Sequence, residues 1–171
     1  VVSELLERDL VYECYCTRAD IKDAPRAPHA PPGAYPGTCR DLTEVEREQG
    51  RQKLAPMDRG PALRLKTTND QLTITDRICG EFTGHIDDFV VRRGDGAHAY
   101  NLVAVVDDAY QNVRQVVRAD DLLESTPRQV YLQKLLGYET PEYVHVPLVL
   151  NRGGKRLAKR DGAVTLDELH R

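Results

Sequence analysis

Three of the four cysteines fall within twenty-six positions, Cys14 and Cys16 in "YECYCTR" and Cys39 in "AYPGTCR". Cys14 and Cys16 are too close for an unstrained mutual disulfide, and nothing marks the chain as secreted. A redox pair is more usually spaced Cys-x-x-Cys. The chemistry that suits this pattern is a metal knuckle, in which a tight turn gives two thiolates and a returning loop gives the other ligands. Zn2+ is the default ion for a sulfur-rich tetrahedral set. Two residues compete for the fourth position. His29 carries the commoner ligand type, whereas Tyr35 stands four residues before Cys39 across a Pro36-Gly37 turn that lets both reach one point. Spacing does not choose between them. Cys79, forty residues beyond Cys39 and between strand-like runs, reads as a buried small hydrophobe.

A second concentration of chemistry lies near the end, where Arg152, Lys155, Arg156, Lys159 and Arg160 place five cations in nine residues around Gly153 and Gly154. Such runs are commonly solvated loops. Beside paired glycines, however, they can wrap an anion such as a phosphate. The feature is local, since 24 Lys+Arg against 27 Asp+Glu give a net charge of −3, which excludes a basic nucleic-acid-binding chain as a whole.

The elements that must position these groups follow from pattern. The 171 residues suit one domain, and 40% hydrophobic with 30% charged residues is ordinary for a globular chain. No apolar run approaches the ~20 residues of a membrane span, and Glu4, Glu7, Arg8 and Asp9 interrupt anything resembling a leader. A cytoplasmic protein acting as a monomer is expected. The first residue is Val1 rather than Met, so the chain reads as a piece of something longer. Leu5, Leu6, Leu10 and Val11 predict a helix over 3–13 with Ser3 as a possible cap. The proline-rich stretch 22–38 cannot pack a core by itself. Thr43 followed by Glu46 is a capping box ahead of a polar surface helix. Short alternating runs over 62–90 predict strands joined by turns, and Gly94-Asp95-Gly96 a tight turn. "NLVAVVDDAYQNV" fits a buried strand or a helix equally well. "VRQVVRA" reads as a strand, "DLLESTPRQVYLQKLLG" as an amphipathic helix with Pro127 in its first turn, "YVHVPLVLN" as a strand, and "TLDELHR" as the start of another helix. Strand–helix–strand order in the second half predicts an α/β layer with parallel pairing.

Read together, "CYCTR…YPGTCR", "DFVVRRGDGAHAYNLVAVVDDAYQNVRQVVRADDLLESTPRQVYLQKLLG" and "GKRLAKRDGA" resemble the catalytic domain of the class I glutamyl-tRNA synthetase family, from about residue 8 to the end. Within it the chain is most similar to the shortened glutamyl-Q branch. The resemblance implies part of a Rossmann-like α/β catalytic domain with an inserted structural zinc knuckle at 12–40, ligated by Cys14, Cys16, Tyr35 and Cys39. Tyr100 and Arg118 are then amino-acid-pocket residues for L-glutamate. That role suits the planar fork of an arginine, which pairs bidentately with a carboxylate, and a phenol that adds a hydrogen bond. Without the resemblance, Arg118 would be read as a surface ion pair with Asp120 or Asp121, and Tyr100 as a packed strand residue. The loop 152–162 occupies the place of the Lys-Met-Ser-Lys-Ser signature, so Lys159 and Arg156 are implied to contact ATP, with Lys159 following the charge as pyrophosphate leaves. Arg156 replaces a lysine there, and Ala158 a serine. The family's His-x-Gly-His signature has no match at His29, His85, His98 or His145, so the ATP-signature half of the domain is expected to lie outside this chain. This piece alone should be inactive.

The reaction implied is activation of glutamate with ATP and Mg2+, without tRNA, followed by transfer of the glutamyl group to queuosine in the anticodon of tRNA(Asp). An ordinary glutamyl-tRNA synthetase charging tRNA(Glu) is the alternative within enzymes. A non-catalytic zinc-containing RNA-binding module is the alternative outside them, and the net charge argues against it.

Overall fold

The computed structural model describes residues 1–24, 33–151 and 153–157. Helix α1 covers Val2–Glu7 and strand β1 covers Val11–Cys14. The helix expected over 3–13 therefore stops early. Asp9 adopts a left-handed backbone, φ 52°, that breaks the helix and turns the chain into the strand. Leu5 and Val11 still reach one core, from a helix and from a strand, so the apolar spacing was satisfied by two elements instead of one. The first helix is capped by the Val1 backbone position without a side-chain bond, not by Ser3.

Alternation along β1 gives it two duties. Val11 enters the main core with Leu5, Leu65 and Leu132, while Tyr12 and Cys14 face a second cluster containing Tyr15, Tyr35 and Cys39. Leu5, Leu65 and Leu132 are fully buried, each contributing about 1.5–3 kcal/mol by leaving water. Helix α2 (Arg18–Asp23) and helix α3 (Glu44–Leu54) both open on capping boxes, Thr17 with Asp20 and Thr43 with Glu46. Inside α3, Gly50 sits where a Cβ would lie 2.4 Å from the Tyr15 ring, so its absence lets the helix close over that ring.

Strands β2 (Ala62–Leu65), β3 (Gln71–Asp76), β4 (Gly80–His85) and β5 (Val90–Arg92) fulfil the expectation of short strands over 62–90. An antiparallel sheet runs β1-β2-β5. The Gly94–Gly96 turn follows β5, closed by the Gly96 N–H donating to the Arg93 carbonyl over 3.0 Å. The ambiguous run resolves as helix α4 (Tyr100–Tyr110), whose Leu102 and Val105 face the core.

Strand β6 (Gln115–Ala119), a 3-10 segment (Asp120–Ser125), helix α5 (Thr126–Leu136) and strand β7 (Glu142–Val146) form the expected strand–helix–strand unit. Pro127 lies in the first turn of α5, where its missing N–H costs nothing. Gly84 of β4 sits beneath that turn, with an ideal Cβ only 2.6 Å from the Pro127 ring. The second sheet runs β4-β3-β7-β6 and mixes an antiparallel hairpin with parallel β3–β7 and β6–β7 pairs. The expectation of an α/β fold with parallel pairing is met. Cys79 departs from expectation: it is exposed at the β3–β4 turn, where no core is available to it. The helix expected at "TLDELHR" lies outside the described residues.

Candidate active site and metal knuckle

Helix α4 presents Tyr100, Ala104, Asp107 or Asp108, and Gln111 at intervals of three to four residues, hence on one face. That face and strand β6 enclose a cavity of about 540 Å3, which Arg118 and Leu122 also line. The volume falls within the range of small-ligand sites. Tyr100 is the first residue of the helix and is 58% exposed, so it is not a packed strand residue. Arg118 makes no ion pair with Asp120 or Asp121 among the described residues. Its Nε donates to His145 Nε2 over 3.0 Å and one terminal nitrogen, Nη2, to Thr126 Oγ1 over 2.7 Å. The guanidinium carbon lies 5.3 Å from the centroid of the Tyr143 ring. Arg118 is thus fixed from behind while its plane borders the cavity. Across from it, burial pushes the Asp108 carboxyl upward, against the pull of Arg118. A ligand carrying both charges would find partners of each sign here.

The described part of the basic loop, residues 153–157, is joined to the segment beside this cavity through Arg156. Asn151 organises it, its Oδ1 accepting from the Gly153 and Lys155 N–H groups at 2.9 and 3.0 Å. Arg156 pairs with Asp121, next to the cavity-lining Leu122. Arg152, Ala158, Lys159 and Arg160 lie outside the described residues.

The knuckle is built differently. Cys14 ends β1, Cys16 follows it, and the loop returning through Gly37 (φ 81°) brings Tyr35 and Cys39 to the same point. The three Sγ atoms lie within 4.8 Å of one another. Cys16 Sγ is 3.5 Å from Cys39 Sγ, and Tyr35 Oη is 3.4 Å from Cys14 Sγ and 4.0 Å from Cys16 Sγ. Tetrahedral Zn–S bonds of about 2.3 Å set sulfurs roughly 3.8 Å apart, so the donor set fits zinc. The Cys39 N–H donates to Tyr35 Oη over 2.8 Å, which aims the phenol oxygen at the sulfurs. Hydrogen bonds from the Cys16 and Cys39 thiols hold Cys14 well below the ordinary thiol range. His29 lies outside the described residues.

Three residues that sequence reading passed over hold the knuckle in place. The Arg64 guanidinium stacks 3.6 Å from the Tyr35 ring centroid and donates to the Asp88 carbonyl over 2.7 Å. The buried Asp88 carboxylate accepts from Tyr12 Oη, Arg40, and the N–H and hydroxyl of Thr67. Asp87 accepts from the Tyr35 N–H at 2.9 Å and from Arg128 of α5 at 2.7 Å, tying the knuckle to the second sheet's helix. The adjacent carboxylates in "HIDDFVV" were the available signal, because two acids between strands need partners.

A family model described as tRNA synthetases class I (E and Q), catalytic domain, matches residues 1–170. The chain belongs to this family. Among proteins of the class, the glutamyl-Q tRNA(Asp) synthetase of Nocardia farcinica is 56% identical over 170 residues, covering 99% of this chain and 53% of that protein. The enzyme of the same name from a Janthinobacterium species is 44% identical over 169 residues, covering 95% and 55%. The chain therefore spans about half the length of the curated relatives it matches. Among solved structures, a glutamate tRNA ligase from Elizabethkingia meningosepticum, in complex with its amino acid, superposes with a TM-score of 0.69 at 26% identity, over 94% of this chain and 34% of that one. Class membership makes the α/β fold that of a class I synthetase catalytic domain. No helix among the described residues is long and apolar enough to cross a membrane.

Proposed function

We propose that the protein carrying this chain activates L-glutamate with ATP without needing tRNA and transfers the glutamyl group to queuosine in the anticodon of tRNA(Asp). The observation that carries this reading is the 56% identity, over nearly the whole chain, to a protein named for that reaction. The cavity shared by Tyr100 and Arg118 supports it, since a braced guanidinium facing open volume is what an amino-acid carboxylate needs.

In this reading Arg118 and Tyr100 orient glutamate so that its α-carboxylate oxygen attacks the α-phosphorus of ATP. The bond to the bridging oxygen breaks and pyrophosphate leaves. Lys159 and Arg156 supply positive charge to the departing phosphates, which is an electrostatic contribution made as the charge develops. A hydroxyl of the acceptor then attacks the glutamyl carbonyl, and AMP leaves with the bonding pair. Cys14, Cys16, Tyr35 and Cys39 would hold a structural Zn2+, whose chemistry is to cross-link the loop to β1. The protein acts in the cytoplasm as a monomer.

The test is transfer of labelled glutamate to tRNA(Asp) with and without queuosine. Labelling confined to the queuosine-bearing tRNA is expected, and labelling of tRNA(Glu) instead would overturn the reading. That second outcome is the ordinary glutamyl-tRNA synthetase, which the structural likeness to glutamate tRNA ligases favours at lower identity.

A further inference from the structure

Arg118, His145 and Asp76 form one hydrogen-bonded chain across three neighbouring strands. Parallel register sets Arg118 of β6 opposite His145 of β7, and Asp76 of β3 opposite Tyr143, two residues from His145 on the same face. His145 Nδ1 is 2.6 Å from Asp76 Oδ2, and the His145 backbone N–H donates to the same oxygen over 3.1 Å. His145 Nε2 receives the Arg118 Nε–H at 3.0 Å. An arginine nitrogen can only donate, so Nε2 must be bare and the ring proton must sit on Nδ1, pointing at Asp76. Thr126 completes the brace: its Oγ1 accepts from Arg118 and its hydroxyl has the Leu122 carbonyl as acceptor. Asp76, His145 and Thr126 are all buried.

We infer that Asp76 and His145 are positioning residues for glutamate recognition: Asp76 fixes the tautomer of His145, and the bare Nε2 of His145 fixes the guanidinium of Arg118 toward the cavity. The inference rests on the proposed role of Arg118 in holding glutamate. The direction of each hydrogen bond makes the device one-way. Asp76 is the acceptor at one end, and Arg118 the donor at the other. Burial opposes the Asp76 charge, but hydrogen bonds from the Cys79 N–H, the His145 ring and the Ile78 N–H outweigh it and hold the carboxyl below its ordinary range. The same carboxylate closes the β3–β4 turn through the Ile78 and Cys79 N–H groups at 2.9 and 2.8 Å. The turn of the β3–β4 hairpin is thereby joined to the ligand cavity by two side chains, His145 and Arg118. Among the described residues Arg118 Nη1 has no hydrogen-bond partner, so a donor remains for a carboxylate.

Asp76→Asn is the informative change. The amide oxygen can still accept from Ile78 and Cys79, but its NH2 cannot accept the Nδ1 proton. The imidazole is driven to the other tautomer, and Nε2–H then faces Nε–H. Glutamate-dependent ATP–pyrophosphate exchange by the full-length protein should show KM for glutamate raised roughly tenfold to hundredfold, the loss of one charge-assisted bond, with KM for ATP unchanged. Arg118→Lys should raise the same KM, and adding Asp76→Asn to it should add nothing, because the Nε donor is already gone. A raised KM with Arg118→Lys but not with Asp76→Asn overturns the relay while leaving the glutamate site standing, as does full additivity of the two. No effect of Arg118→Lys removes the site reading itself. The tautomer can be read without any variant, by two-bond 15N–1H correlation on the wild-type protein. Protonated Nδ1 and bare Nε2 are expected at His145, and the reverse assignment overturns the relay even where Asp76→Asn does not fold.

Discussion

The cysteine knuckle and the Arg118 cavity are both built where a strand hands polar side chains to a loop or helix, yet they treat those groups in opposite ways. In the knuckle the polar groups turn inward on one another. Tyr35 Oη faces two sulfurs and a backbone N–H, Arg64 covers its ring, and Asp88 is saturated by Tyr12, Arg40 and Thr67. In the cavity, among the described residues, Arg118 commits only Nε and Nη2 to the protein, and Tyr100 stands exposed on the opposite wall. Saturated polar clusters fix shape, whereas a braced but unfilled donor recognises something else.

The comparison can be broken at either end. The largest effect should come from removing one of the proposed metal ligands. With Cys14→Ser, bound zinc by elemental analysis should fall from one equivalent to near zero, and proteolysis should open the knuckle, since a structural zinc contributes on the order of 10 kcal/mol to its fold. Retention of zinc would deny the knuckle its role. Next, Arg118→Ala should lower kcat/KM for glutamate by about thirtyfold or more, equivalent to the ~2–5 kcal/mol of a lost buried charge contact, while zinc content stays unchanged. If zinc content fell with activity, the two regions would not be separable.

Tyr35→Phe sharpens the knuckle further. The ring still packs on Arg64, but zinc should bind on the order of tenfold more weakly, the least that is lost even when a group merely supporting a ligand is removed. Unchanged zinc in Tyr35→Phe together with its loss in His29→Ala would transfer the fourth ligand to His29. The smallest effect belongs to Cys79→Ser. This exposed thiol should change unfolding free energy by less than about 0.5 kcal/mol, as measured by urea titration, and leave zinc untouched.

Local chemistry makes some of this legible in the sequence. The Thr43–Glu46 capping box and Pro127 in a first turn depend on neighbours three or four residues away, and both elements begin where those residues indicate. The Cys14–Cys16–Cys39 gathering was likewise readable, because a tight turn fixes half of it. Helix 3–13 failed because periodicity cannot register a left-handed break at Asp9, and residues on either side still face one core. Cys79 was misjudged because its surroundings depend on a hairpin turn that composition does not reveal. Asp76 and His145, sixty-nine residues apart, became partners through sheet register alone, which no local pattern encodes.

The most direct test of the central claim is glutamate-dependent ATP–pyrophosphate exchange by the full-length protein in the complete absence of tRNA. Exchange under those conditions, saturable in glutamate and lost with Arg118→Ala, is the predicted result. Exchange that begins only when tRNA(Glu) is added would contradict the account and make the protein an ordinary glutamyl-tRNA synthetase.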